Sequence, residues 1–69
     1  MSKYRVHSIT IWKEHSNKAE TILEKYNSYF DDMYIESRSN TVVYWLNPYV
    51  YEDFETVVNE FKENGIQVL

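Results

Sequence analysis

The sequence predicts an α+β fold of the ferredoxin-like sandwich type, a four-stranded antiparallel sheet with two helices on one face. Two observations carry this. Two segments with apolar residues at helical spacing alternate with four segments of strand character, giving the order β-α-β-β-α-β. Two right-handed β-α-β crossovers then place both helices on the same side of the sheet. With 69 residues and no repeat, linker or low-complexity stretch, the chain 1–69 reads as one domain.

Tyr4 to Trp12 alternates loosely and is rich in β-branched residues, as a strand requires. Over 17–30, Ala19, Ile22, Leu23, Tyr26 and Phe30 fall on one helical stripe. Ser16 or Asn17 is positioned to cap that helix, and Asn17 with Glu20 three residues on resembles a capping box. Met33 to Arg38 and Thr41 to Leu46 read as two strands joined by the tight turn Ser39-Asn40. Asn47-Pro48 then stops the sheet and is suited to start a helix, with asparagine as cap and proline at the first helical position. Val50, Phe54, Val57, Val58 and Phe61 form the apolar stripe of this second helix, which Asn64-Gly65 ends. Ile66 to Leu69 is the short last strand.

The run VVYWL forces a decision about faces, because a strand sends alternate side chains to opposite sides. A two-residue turn at Ser39-Asn40 pairs Arg38 with Thr41, Glu36 with Val43, Ile35 with Tyr44 and Tyr34 with Trp45. One face then holds Met33, Ile35, Ser37, Val42, Tyr44 and Leu46, the more apolar set, which is assigned to the helices. Ile9 and Ile11 join it from the first strand. The open face collects Tyr4, Trp12, Tyr34, Val43 and Trp45. An aromatic patch of that extent marks an interaction site unless the rings shield one another.

Charge is uneven. The net value of −4 divides into +2 over residues 1–30 and −6 over 31–69. On the second helix Glu52, Asp53, Glu55, Glu60 and Glu63 share the side opposite the apolar stripe, and Asp31 and Asp32 extend the acidic surface from a loop before the second strand. From Glu52 to Glu63 the helix rises about 16 Å, the reach of two to three phosphates along one DNA strand. An acidic surface of this kind is an ordinary solvated helix face or a mimic of nucleic-acid phosphates.

Other chemistry has no footing in the sequence. There is no cysteine, and His7 and His15 fit no metal-binding or HExxH spacing. No phosphate-binding glycine loop and no nucleophile-base order occur, so neither an enzyme, a cofactor nor a metal is expected. RNA-recognition modules share the strand order, but TVVYWL lacks their glycine and basic residue, and net acidity opposes direct nucleic-acid binding. No apolar run spans a bilayer and no basic-then-apolar leader opens the chain, so a cytoplasmic protein is expected.

The expectation is a non-enzymatic binding protein whose partner is a host protein with a basic surface. In size and composition the chain resembles the small proteins that viruses use against host machinery, inhibitors of CRISPR complexes among them. That likeness implies an anti-CRISPR or other anti-defence inhibitor acting as a nucleic-acid mimic. The alternatives are a homodimeric module joined through its open sheets and a single-strand RNA- or DNA-binding module.

Overall fold

The computed structural model describes residues 6–69. The chain runs β1 (His7–Trp12), a 3-10 turn, α1 (Ser16–Lys25), a second 3-10 turn (Asn27–Tyr29), β2 (Phe30–Ser37), β3 (Thr41–Pro48) and α2 (Tyr51–Glu63). The fold is α+β, with a three-stranded antiparallel sheet of order β1-β3-β2 and two helices.

The hairpin register follows the turn. The Arg38 amide donates to the Thr41 carbonyl at 2.9 Å, and Glu36 faces Val43, Ile35 faces Tyr44 and Tyr34 faces Trp45. β1 lies on the other side of β3, with Ile9 opposite Tyr44 and Ile11 opposite Val42. A single core follows from this parity. Ile9, Ile11, Val42, Tyr44 and Leu46 from the sheet close against Ala19, Ile22 and Leu23 of α1 and Val57 and Phe61 of α2. Both helices therefore cover the same face. Met33, Tyr26, Phe54 and Val58 pack around the margin.

Several expectations need correction. The sheet has three strands among the described residues, not four. Ile66 to Leu69 makes one backbone bond to the sheet, from the Leu69 amide to the Thr10 carbonyl at 2.9 Å. The Ile66 amide is already committed to the Phe61 carbonyl, and Ile66 is held by burial of its side chain. Four residues, the first of them tied to the helix end, do not build a ladder. Gly65, at φ +77°, makes the left-handed turn that releases the tail from α2.

The first helix stops at Lys25 rather than near residue 30. Asn27 and Ser28 favour turns over helix interior, and Phe30 enters the core as the first residue of β2. The Asn17–Glu20 capping box does not form, and no side chain caps α1. Glu20 is drawn instead to the Tyr44 hydroxyl, which donates to it at 3.1 Å. β3 continues through Asn47 to Pro48, and α2 begins only at Tyr51. Pro48 pairs with Phe30 at the β2 register irregularity, one of the places where a sheet admits proline. Val50 is exposed rather than part of the apolar stripe. Asp31 and Asp32 lie inside β2 beside a register irregularity between Phe30 and Asp32, not in a loop before it.

Phe61 is fully buried and its ring meets Tyr44 edge-on, centroids 6.2 Å apart. A Phe61→Ala variant is expected to lose about 3–5 kcal/mol of folding stability, a large part of what a domain this small has. Urea unfolding followed by tryptophan fluorescence measures it.

Candidate functional site

The acidic residues divide into those the fold uses and those it leaves free. Glu60 belongs to the fold. It faces α1, where it pairs with the Lys25 ammonium and accepts the Tyr26 hydroxyl at 2.7 Å. The Lys25 hydrogen bond, then that of Tyr26, holds the Glu60 carboxyl below the usual carboxylate range. The same contact raises Lys25 and Tyr26 above their ordinary values. Glu60 thus clasps the two helices and is withdrawn from any outward acidic surface.

Glu52 and Asp53 occupy the first turn of α2. There they offset the positive end of the helix dipole, a use within the fold worth a few tenths to 1 kcal/mol each. Glu55 and Glu63 are exposed and make no ion pair among the described residues. On β2, Asp31 and Asp32 are exposed. Asp31 accepts the Tyr49 hydroxyl at 3.4 Å, and Asp32 accepts the Met33 amide at 2.9 Å.

The Asp31–Tyr49 contact joins two regions that are distant in sequence. It brings the start of β2 against the β3–α2 connection, where Tyr49, Val50 and Tyr51 are all exposed. Tyr29 lies beside them, its carbonyl accepting the Tyr49 amide at 3.4 Å. Tyr51 reaches back to His7, rings 5.0 Å apart. One end of the molecule therefore presents exposed tyrosines next to Asp31, Glu52 and Asp53. Sequence reasoning missed Tyr29, Tyr49 and Tyr51. The signal for two of them was NPYVYED, in which tyrosines flank a stretch that is neither core helix nor core strand.

The open sheet face holds less free aromatic area than expected. Tyr4 lies outside the described residues. Val43 sits on this face, as the register predicts, yet is only 2% exposed. Trp45 is half-buried, and its indole N–H donates to Glu36 at 3.1 Å. Glu36 also receives Arg38, at 3.0 Å, and these two donors, Arg38 first, hold its carboxyl below the usual range. Trp12 and Tyr34 remain outward, Tyr34 at 63% exposure. The rings and the Arg38–Glu36–Trp45 chain thus shield much of the face.

A third surface is an open groove of about 690 Å³ between α1 and the edge strand. Asn17, Thr21 and Glu24 form its helix wall, and Met33 and Ile35 its floor. Ile35 belongs to the helix-facing side of the sheet but is 46% exposed, because β2 lies beyond the cover of the helices. Among the described residues the buried polar side chains are Asn47 and the Tyr44 hydroxyl, the latter inside the core. Burial, with the nearby Glu20 charge, raises its pKa far above the ordinary tyrosine value. Among the described residues no three His, Asp or Glu side chains converge on a metal-sized site, and no helix is long and apolar enough to cross a membrane.

No family model, curated protein or solved structure matches this chain. The site must therefore be read from its own geometry.

The Glu60 clasp sets a pH dependence. Its carboxyl titrates lower in the folded chain than in the unfolded one, so the unfolded chain binds more protons near pH 4.5 and stability rises with pH there. Equivalently, stability is present above the unfolded pKa and is lost as pH falls through the folded one. Glu60→Gln is expected to flatten this acid-side loss, leaving the part due to Glu36. Urea unfolding of both proteins between about pH 7 and pH 3 is the check.

Proposed function

We propose that this chain is a non-enzymatic binding protein that docks a basic partner surface through its acidic, tyrosine-rich end. The supporting observation is the Asp31–Tyr49 contact, which draws exposed tyrosines and an exposed carboxylate together. Tyrosine supplies large, stiff contact area and a hydroxyl, and is enriched among residues that dominate binding energy. Carboxylates beside it steer a basic partner and reject acidic ones. Asp31, Asp32, Glu52, Asp53 and Glu55 are the acidic members at or nearest this end. Glu63 lies at the far end of α2, and Glu60 is spent on the helix clasp.

The mimicry of phosphates suggested by the acidic helix is the sharper form of this reading, and an inhibitor of a nucleic-acid-binding effector is the class it describes. Loss of Glu60 from the outward set interrupts the acidic row that such a mimic needs. The open face supports the alternatives less. A base stacked beside Trp45 would meet the Glu36 carboxylate, and a face-to-face dimer would gain chiefly from Trp12 and Tyr34.

For the architecture, we propose an abbreviated ferredoxin-like sandwich. The order β1-β3-β2 and the Leu69–Thr10 bond beside β1 are what that topology requires if the tail stands where the fourth strand would be.

The test is capture from cell lysate on immobilised protein, with Glu52→Lys/Glu55→Lys/Glu63→Lys and Tyr49→Ala variants in parallel. Both variants are expected to retain the fold and to reduce specific capture by about tenfold, with the parent's binding also weakened by salt. Undiminished capture by the triple variant, with unchanged salt dependence, would remove the acidic-docking reading. Competition by DNA separates the phosphate mimic from other basic partners.

A further inference from the structure

Among the described residues β2 is the outer strand of the sheet, and the tail lies at the opposite edge, beside β1. We propose that the free edge of β2 is a homodimer seam. Two copies join β2 to β2, antiparallel, about a two-fold axis through Ile35, to make one continuous six-stranded sheet.

Backbone parity fixes which residues of β2 face the edge. In an antiparallel ladder, alternate residues direct their N–H and C=O toward the same neighbour. Arg38 bonds inward to Thr41, and the β2–β3 register is unbroken from Asp32 to Ser37. Asp32, Tyr34 and Glu36 therefore bond inward to β3, while Met33, Ile35 and Ser37 direct their backbone groups to the free edge. The Met33 amide agrees independently, since its hydrogen bond goes to the Asp32 side chain rather than to β3. A second β2 must oppose odd residues with odd residues, so the two-fold axis passes through a residue and never between two.

Charge then selects the register. An axis through Ile35 sets Asp32 opposite the partner's Arg38, Tyr34 opposite the partner's Glu36, and Met33 opposite the partner's Ser37. Each seam then holds two carboxylate–guanidinium pairs. Moving the axis to Tyr34 sets Asp32 against the partner's Glu36. Moving it to Glu36 sets that carboxylate against itself. Like charges directly opposite destabilise a sheet, so electrostatics selects the Ile35 register. Arg38 is exposed and already points its guanidinium along this strand, toward Glu36.

An apolar side chain stands at the axis. Ile35 is 46% exposed in mid-strand at the mouth of the α1–β2 groove. In the dimer it meets the partner's Ile35 across the closed ladder. Glu24 on the groove rim opposes association, and the seam is small, so a weak dimer is expected. Asp32 must exchange its Met33 amide for the partner's Arg38, and that amide then bonds the partner's Ser37 carbonyl. If Asp32 instead serves only to cover the edge, as inward or edge charges often do, its replacement would promote association.

The experiment is sedimentation equilibrium from about 10 µM to 1 mM, a range suited to a small seam. It compares the parent with Asp32→Arg, Arg38→Asp and the double swap, with circular dichroism as the fold control. Each single variant is expected to raise the dimer Kd by about tenfold, and the double swap to restore it to within about threefold. The Ile35 amide is expected to gain exchange protection as concentration rises. A parent that stays monomeric throughout overturns the seam, as does a double swap that fails to rescue. So does an Asp32→Arg chain that associates more strongly than the parent. A dimer lost on Trp12→Ala but indifferent to the swap assigns association to the open face instead.

Discussion

Tyr44 is the residue on which the rest of the structure turns. It stands in the middle of the middle strand, fully buried, opposite Ile9 on one side and Ile35 on the other. Its ring meets Phe61 of α2 and its hydroxyl reaches Glu20 of α1. A single side chain thus links both helices to the sheet. Burying a hydroxyl without a partner costs on the order of 1–3 kcal/mol, and the Glu20 carboxylate removes that cost. No buried side-chain polar atom among the described residues lacks a partner. The helix begins at Ser16, so Asn17 lies inside its first turn and the capping box that its spacing from Glu20 predicted does not form.

The same economy decides what is left on the surface. Glu60 and Glu20 are acidic residues drawn inward by tyrosine hydroxyls, one at the helix interface and one above the sheet. Glu36 is held on the open face by Arg38 and Trp45. These three carboxylates serve the fold. Those at the β3–α2 end and along the edge strand remain outward, Asp31 with a 3.4 Å contact from the exposed Tyr49 hydroxyl. The two proposed surfaces are distinct: the acidic tyrosine end, and an outer strand edge whose charges are self-complementary in the Ile35 register. Asp32 lies near both, so occupation of one surface bears on the electrostatics of the other.

Much of the architecture was legible because side-chain period is a local property. Alternation along β1 and β3 set Ile9, Ile11, Val42, Tyr44 and Leu46 on one face, and the two-residue Ser39-Asn40 turn set the hairpin register. The apolar stripes of α1 and α2 identified Ala19, Ile22, Leu23, Val57 and Phe61 as core. Boundaries were less legible. Phe30 satisfies the helical stripe and the strand equally well by spacing, and only packing against the core places it in β2. Pro48 reads as a helix start, but an outgoing strand end tolerates it as well.

The candidate site was legible as charge and not as geometry. Sequence alone determined that residues 31–69 carry the acidity and that Trp45 and Tyr34 share a face, since both follow from composition and a period of two. Only the tertiary structure decided which carboxylates are free. Whether Glu60 faces water or Lys25 depends on where α1 lies beside α2, a contact 35 residues apart in sequence. Whether Val43 is exposed depends on what neighbouring strands lay over it. The joining of Asp31 to Tyr49 depends likewise on how β2 and β3 are aligned. Local pattern specifies which way a side chain points, and long-range packing specifies what it meets there.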